Sequence, residues 1–113
     1  MRSTRVYIAG PYTLGNTGEN VARAMRTWHT LFDAGYSPFC PHLTHFLHLL
    51  KPRSYEDWLD YDMDWVAVCD ALLRLDGESA GADQEVVTME ARGRSVFTKV
   101  EELIRNLPAT QED

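Results

Sequence analysis

The hydrophobic residues of this chain follow two spacings that alternate along it. The runs "VYIA" and "ALL" are short and continuous, as is typical of strands that are covered on both faces of a sheet. Over 19–35, apolar residues instead recur every three or four positions, and Gly35 closes the run, which predicts an amphipathic helix. We therefore expect strands and helices to alternate.

The same patterns predict the order of the elements. In chain order they are a strand over 4–11, a helix over 19–35, a short strand over 36–41, a short helix or lid-like loop over 42–54, a helix capped by Ser54, a strand over 71–77, a helix over 81–93, a strand starting at 94 and a helix over 101–107. This order predicts an α/β fold, a small single-domain doubly wound parallel sheet of Rossmann- or flavodoxin-like type, with four to five strands and flanking helices. We expect residues 1–107 to form the domain and residues 108–113 a flexible C-terminal tail.

Composition narrows the class of partner. The chain has 113 residues and a net charge of −6, so it lacks the basic surface with which proteins grip nucleic-acid polymers. The start "MRSTRVYIAG" is not a signal peptide, and the apolar runs are too short to cross a bilayer. Cys40 and Cys69 lie far apart in apolar surroundings, which favours buried thiols. A cytoplasmic protein with a small-molecule ligand and no membrane partner is expected.

Ligands of such sheets bind at the carboxyl ends of the strands. The two loops that qualify span 10–18 and 76–82. In "ESAGADQEVV", Glu85 is expected in the first turn of a helix, where it can act as a nucleophile or stabilise positive charge. The amides of Gly81 and Ala82 and the hydroxyl of Ser79 can hold an anion there. On this stretch alone, Glu85 can equally serve only the helix dipole, and Ser79 only the turn.

Two further stretches carry acidic or phenolic groups. Tyr7 precedes Gly10 in the first strand, so its phenol can reach the carboxyl edge of the sheet. In "DYDMDW", the residues Asp60, Asp62 and Asp64 cannot share one helix face, and without further information a solvated run is the simpler interpretation.

The stretches "VYIAGP", "DMDWVAVCDALL" and "GESAGADQEVVTMEARG", in this order and spacing, resemble the nucleoside 2-deoxyribosyltransferase superfamily. That superfamily includes nucleoside 5'-monophosphate N-glycosidases, and the resemblance extends from Tyr7 to about Phe97. It implies that Glu85 attacks the anomeric carbon and that Tyr7 orients Glu85. It also implies that Asp62 contacts the nucleobase and assists its protonation, with Asp64 as the fallback.

The resemblance also implies a substrate. Transferases commonly carry Asp six residues before the catalytic Glu, whereas the monophosphate N-glycosidases carry a Ser that binds phosphate, as Ser79 would here. The first loop, "GPYTLGNTG", lacks the arginine of some phosphate-binding members. The residues expected to contact substrate are Gly10, Pro11, Tyr12, His42, Trp65, Ser79, Gly81 and Ala82.

We therefore expect hydrolysis of the N-glycosidic bond of a nucleoside 5'-monophosphate through a covalent Glu85 intermediate, with no metal or organic cofactor. One alternative is base exchange by a nucleoside 2-deoxyribosyltransferase, and a second is a non-catalytic nucleotide-binding module. A metal site at His42, His45 and His48 is disfavoured, because the stretch has no HExxH pattern. The resemblance also implies a homodimer or higher oligomer in which a partner subunit completes each pocket.

Overall fold

The centre of the protein is a four-stranded parallel sheet, in a computed structural model that describes residues 1–112. Its strands are β2 (Arg5–Ala9), β3 (Ser37–Phe39), β4 (Ala71–Arg74) and β5 (Ser95–Phe97). Two further strands, β1 (Arg2–Ser3) and β6 (Thr110–Gln111), form a separate two-stranded sheet. The helices are α1 (Thr17–Asp33), α2 (Thr44–Leu50), α3 (Tyr55–Val66), α4 (Ala80–Ala91) and α5 (Val100–Asn106), with a 3-10 turn at Pro41–Leu43 before α2.

The strand order of the parallel sheet is β3-β2-β4-β5. After β2, the chain adds β3 on one side of β2 and then adds β4 and β5 on the other side. The direction of winding therefore changes between the neighbouring strands β2 and β4. A change of this kind leaves a crevice at the carboxyl ends of the two strands. The predicted α/β fold with a doubly wound parallel sheet is confirmed.

Side chains of β2 alternate between two hydrophobic cores, one on each face of the sheet. Val6 and Ile8 pack with residues of α1 and α5, whereas Tyr7 and Ala9 pack with residues of α3 and α4. All four side chains are fully buried, which explains the continuous apolar run in the sequence. Tyr7 is thus directed to the α3 and α4 side of the sheet.

Local capping fixes where the helices begin and end. The side chain of Asn16 accepts from the amide of Glu19 at the start of α1, and the predicted cap Ser54 accepts from the amide of Asp57 at the start of α3. Gly35, after α1, has a φ of 97°, a left-handed conformation that costs glycine little. The prediction of Ser54 as a cap is confirmed.

The C-terminal segment differs from the flexible tail that we expected. Thr110–Gln111 pairs antiparallel with Arg2–Ser3, and Thr4 donates from its amide to the Ala109 carbonyl and from its hydroxyl to the Pro108 carbonyl. These hydrogen bonds tie the two ends of the chain together. The pairing was not predicted, because two-residue strands have no hydrophobic alternation to recognise.

Both cysteines are buried and unpaired with one another, as predicted. Burial raises the pKa of Cys40 to about 11 and that of Cys69 to about 12, so both remain thiols at neutral pH. Within residues 1–112, no helix combines the length and the apolar character that crossing a membrane requires.

Two valines in helices give a matched test of this core. Val66 is fully buried in the core on the α3 and α4 side of the sheet, and Val87 is exposed on α4. We expect Val66→Ala to lower the free energy of unfolding by about 2 kcal/mol, because it removes two buried methyl groups and leaves a cavity. Val87→Ala should change it by less than about 0.5 kcal/mol. Urea denaturation measures both, and equal effects would contradict the assignment of the core.

Candidate active site

Two loops come into close contact at the crevice between β2 and β4. A Cβ atom placed on Gly10 would lie 2.9 Å from the Cβ of Leu75, and one on Gly77 would lie 2.6 Å from Cγ of Pro11. Gly77 also has a φ of 118°, which disfavours any side chain. The two glycines therefore permit the loop after β2 to lie directly against the loop after β4.

A cavity of about 440 Å³ opens where these loops meet. Both of the predicted ligand loops line it, through Gly10 and Tyr12–Leu14 from the first and Glu78–Ala82 from the second. Further side chains come from α2 and α3, among them His48 and Asp62. The cavity has the size of a typical small-molecule site.

At the base of the cavity, Tyr7 donates a short hydrogen bond from its hydroxyl to Oε2 of Glu85. The Tyr7 side chain is fully buried, and Glu85 is only 6 % exposed. The helix α4 begins at Ala80, so Glu85 lies in its second turn and Asp83 occupies the first. Our prediction of Glu85 in the first turn was wrong by one turn, since Ser79 starts the helix earlier than the pattern indicated.

Burial sets the protonation of this pair. It raises the pKa of Glu85 to about 7, against the Tyr7 hydrogen bond and the positive charge of Arg74, which lower it. Burial and the neighbouring Glu85 carboxylate both raise the pKa of Tyr7 far above its ordinary value. Tyr7 therefore keeps its proton and donates a hydrogen bond to Glu85, which is ionised in a large fraction of molecules near neutral pH.

A second carboxyl group, that of Asp62 on α3, lines the same cavity. Its Oδ1 atom is buried and has no hydrogen-bond partner within the described part of the chain. Burial, followed by the Glu85 charge, raises the pKa of Asp62 to about 8. Asp60 and Asp64 are exposed, so Asp62 alone of the acidic run turns inward. The cavity thus holds two carboxyl groups with raised pKa values, and the charge of Glu85 disfavours ionisation of Asp62, an arrangement suited to acid–base chemistry.

The start of α4 offers fewer free amides than predicted. The Ala82 amide donates to the Ser79 side-chain oxygen at 3.1 Å, which makes Ser79 the helix cap. Ala82 therefore lines the cavity without a free N–H group, contrary to our expectation. Gly81 lines the cavity in the first turn of the helix, and Ser79 retains its own hydroxyl hydrogen for a ligand.

Pro11 and Tyr12, two of the predicted contact residues in the first loop, form hydrogen bonds with histidines. His42 is buried and shares a hydrogen bond of 2.9 Å between Nε2 and the carbonyl of Pro11. Burial lowers the pKa of His42, so the ring is neutral and donates from Nε2 to this carbonyl. The Tyr12 hydroxyl lies 2.8 Å from Nδ1 of His45. Pro11 thus orients His42, while His42 and Tyr12 line the cavity.

Trp65, which we expected to contact the substrate, does not line this cavity. Its ring stacks on Phe39 with centroids 4.9 Å apart, and 40 % of the residue is exposed. Other residues of α3 and the loop before it line the cavity in its place and were not predicted: Arg53, Tyr55, Trp58 and Leu59. The sequence places them at the capped start of α3 but does not show which face of that helix turns inward.

The three histidines that were considered as metal ligands have separate partners. His42 bonds to Pro11, His45 to Tyr12 and His48 to Trp58. Over residues 1–112, no group of three or more histidine, cysteine, aspartate or glutamate side chains is placed to hold a metal ion.

A solved structure described as a 2-deoxyribosyltransferase from the psychrotolerant bacterium Bacillus psychrosaccharolyticus is similar, with a TM-score of 0.60 and 18 % sequence identity. The similarity covers 97 % of this chain and 87 % of that one. This chain therefore has the fold of a nucleoside 2-deoxyribosyltransferase, and the expected resemblance is confirmed at the level of the fold.

The sequence itself matches a family of undetermined role. Residues 4–99 match the family model described as a domain of unknown function, DUF7768, and the chain belongs to that family. No curated protein matches the sequence.

The raised pKa of Glu85 makes stability depend on pH. The unfolded value is near 4.5 and the folded value is about 7, so the folded protein holds a proton that the unfolded chain releases. Stability should therefore fall as pH rises from about 4.5 to 7. We expect Glu85→Gln to raise Tm by about 4–8 °C at pH 8.5 and by less at pH 5.

A matched control for this effect is Glu90→Gln, since Glu90 is exposed on the same helix. Its Tm should follow that of the unmodified protein at both pH values. Thermal unfolding measured at pH 5 and pH 8.5 compares the three proteins. Parallel pH dependence in Glu85→Gln and the unmodified protein would contradict the assigned cost of ionising Glu85.

Proposed function

We propose that this protein hydrolyses the N-glycosidic bond of a nucleoside 5'-monophosphate, releasing a free base and (deoxy)ribose 5-phosphate. The observation that carries the proposal is the Tyr7–Glu85 hydrogen bond at the base of a cavity that Asp62 also lines. Glu85 is the nucleophile, Tyr7 orients it, and Asp62 is the acid. Gly10, Tyr12, His42, Ser79 and Gly81 would contact the substrate.

In the first step, an oxygen of ionised Glu85 forms a bond to C1' while the bond from C1' to the base nitrogen breaks. The electron pair of that bond leaves with the base, which takes the proton of Asp62. The raised pKa values of both carboxyl groups support this division of roles, because near neutral pH one group can be ionised while its charge keeps the other protonated. Positive charge develops on the sugar in the transition state, and two carboxyl groups stabilise it.

In the second step, water attacks C1' and the bond to Glu85 breaks, which returns Glu85 as a carboxylate. The water proton passes to the Asp62 carboxylate, so the starting protonation is restored. Two displacements at C1' retain the configuration of the sugar. Neither step needs a metal or an organic cofactor.

A catalytic role accounts for the site better than nucleotide binding alone. Burying Glu85 and Asp62 together costs stability, since each carboxylate disfavours ionisation of the other. A protein that only holds an anionic ligand gains nothing from buried acids beside the sugar. A reaction with positive charge at C1' does gain from them.

The preference for a monophosphate rests on Ser79. Its hydroxyl can donate to a phosphate, whereas a carboxylate at this position would repel one. The alternative is base exchange between nucleosides, in which a second base replaces water in the second step. The similar solved structure is that of a 2-deoxyribosyltransferase, which favours this alternative. Both reactions pass through the same Glu85 intermediate.

We also propose that two copies of the chain associate through the outer face of α2. Apolar side chains on and beside this helix are exposed, with Phe46 at 54 % and Leu50 at 89 %, together with Leu43, Leu47 and Leu49. Several exposed apolar side chains on one short helix are typical of an association site, and two identical patches can bury each other about a two-fold axis. The opposite side of α2 contributes Thr44 and His48 to the cavity, so a partner would lie beside the active site.

The proposed reaction can be tested with a panel of ribo- and deoxyribonucleosides and their 5'-monophosphates. We expect the free base to be released from at least one monophosphate, and Glu85→Gln to lower the rate by about 10³-fold or more because it removes the nucleophile. Chromatography of the released base measures the rate. Glu90→Gln, the exposed control on the same helix, should retain full activity.

The same assay separates the competing functions. Adding a second free base distinguishes transfer from hydrolysis, since transfer produces a new nucleotide or nucleoside. Base release that survives in Glu85→Gln would contradict the assignment of Glu85. If no member of the panel releases base, the catalytic proposal fails and nucleotide binding remains.

The proposed association is tested by Phe46→Glu, which places a charge in the centre of the apolar face of α2. We expect the unmodified protein to be a dimer and Phe46→Glu to be a monomer, because burying an unpaired carboxylate is costly. Val87→Glu, on the exposed face of α4, should leave the dimer intact. Light scattering coupled to size-exclusion chromatography measures the mass, and a monomeric unmodified protein would overturn the proposal.

A further inference from the structure

The cavity has an uneven distribution of charge. Three acidic residues line it, Asp62, Glu78 and Glu85. Among the described residues, Arg53 is the one arginine or lysine that lines it. A phosphorylated substrate needs positive charge near its phosphate, and Glu78 increases that need. Arg53 is therefore the residue to examine.

Arg53 lies in the short connection between α2 and α3, and this connection is fixed to a histidine. The amide of Arg53 donates to Nδ1 of His48 at 3.2 Å, and the indole nitrogen of Trp58 donates to the same atom at 2.9 Å. Because Nδ1 accepts these two bonds, the ring proton of His48 is on Nε2. His48 also lines the cavity, so this N–H group is the donor that it can offer a ligand.

Among residues 1–112, the guanidinium of Arg53 has no partner of its own. Within residues 1–112 the ion pairs of arginine join Arg2 to Asp70, Arg26 to Glu19 and Arg74 to Asp83. No hydrogen bond or ion pair links the Arg53 guanidinium to any residue of that range. Arg53, an exposed residue that lines the cavity, therefore has five N–H donors without a partner among the described residues, and a full positive charge.

The first residue of α3, Tyr55, reaches the start of α4. A Cβ atom on Gly81 would lie 3.5 Å from the hydroxyl of Tyr55, which follows Arg53 by two residues. Tyr55, Gly81 and Ser79 all line the cavity. Arg53 and Ser79 thus line one cavity, and Tyr55, two residues after Arg53, reaches the start of α4 beside Ser79.

We propose that Arg53 binds the phosphate of the substrate and so makes the site select a nucleoside 5'-monophosphate over a nucleoside. The proposal rests on the function proposed above. The guanidinium would donate two parallel N–H groups to phosphate oxygens, with Nε2–H of His48 and the hydroxyl of Ser79 as further donors. The first loop has no arginine for this purpose, and Arg53 supplies the charge from a different part of the chain.

The direct test is Arg53→Gln, compared with Arg105→Gln on the exposed surface of α5 as the matched control. For one base, kcat/KM is measured with the monophosphate and with the nucleoside. We expect Arg53→Gln to lower kcat/KM for the monophosphate by about 10–100-fold, the effect of losing a charge-assisted hydrogen bond. The nucleoside value should change by less than about 3-fold, and Arg105→Gln should change neither.

A binding measurement separates this inference from the proposed reaction. Titration calorimetry compares 2-deoxyribose 5-phosphate with 2-deoxyribose as probes of the Glu85→Gln protein, with and without Arg53→Gln. Selective binding of the phosphorylated sugar, weakened about 10–100-fold by Arg53→Gln, would support the role of Arg53 even if no base were released. Equal affinity in the two proteins, or no preference for the phosphorylated sugar, would overturn it.

Discussion

The hydrogen bond from Tyr7 to Glu85 is the contact on which the candidate site depends. It joins the central strand β2 to the second turn of α4, across residues that are 78 positions apart. The bond forms because Tyr7 points to the α4 face of the sheet and because β2 and β4 are neighbours. Gly10 and Gly77 permit the two loops above the bond to come into contact, and the cavity opens where they meet.

Burial of the Tyr7–Glu85 hydrogen bond also raises the free-energy cost of an ionised carboxylate in the cavity. Glu85 and Asp62 both have raised pKa values, and the Glu85 charge contributes to the rise for Asp62. Such an arrangement weakens the fold at neutral and alkaline pH, and a site of this kind is retained when the chemistry needs it. The proposed cleavage needs both groups, because one carboxyl must be ionised while the other still holds a proton.

The segment from α2 to the start of α3 has two sides with different character. Its inner side brings His48 and Arg53 to the cavity, and its outer side exposes Phe46 and Leu50. Because the inner and outer residues alternate along one short segment, a contact on the outer side would restrain the inner one. The proposed subunit contact and the proposed phosphate contact are therefore neighbours in the structure.

Hydrophobic spacing and local capping were sufficient to predict the parallel α/β architecture, the cap at Ser54 and the two loops that line the cavity, because each depends on residues close together in the chain. Side-chain direction was not predictable in this way. Asp62 turns inward while Trp65, three residues later, stacks on Phe39 outside the cavity. Which residues of a helix face a cavity depends on how the helix is rotated against the sheet, and contacts distant in sequence set that rotation. For the same reason, only the tertiary structure brings Arg53 to the cavity, and only it pairs Thr110–Gln111 with the start of the chain.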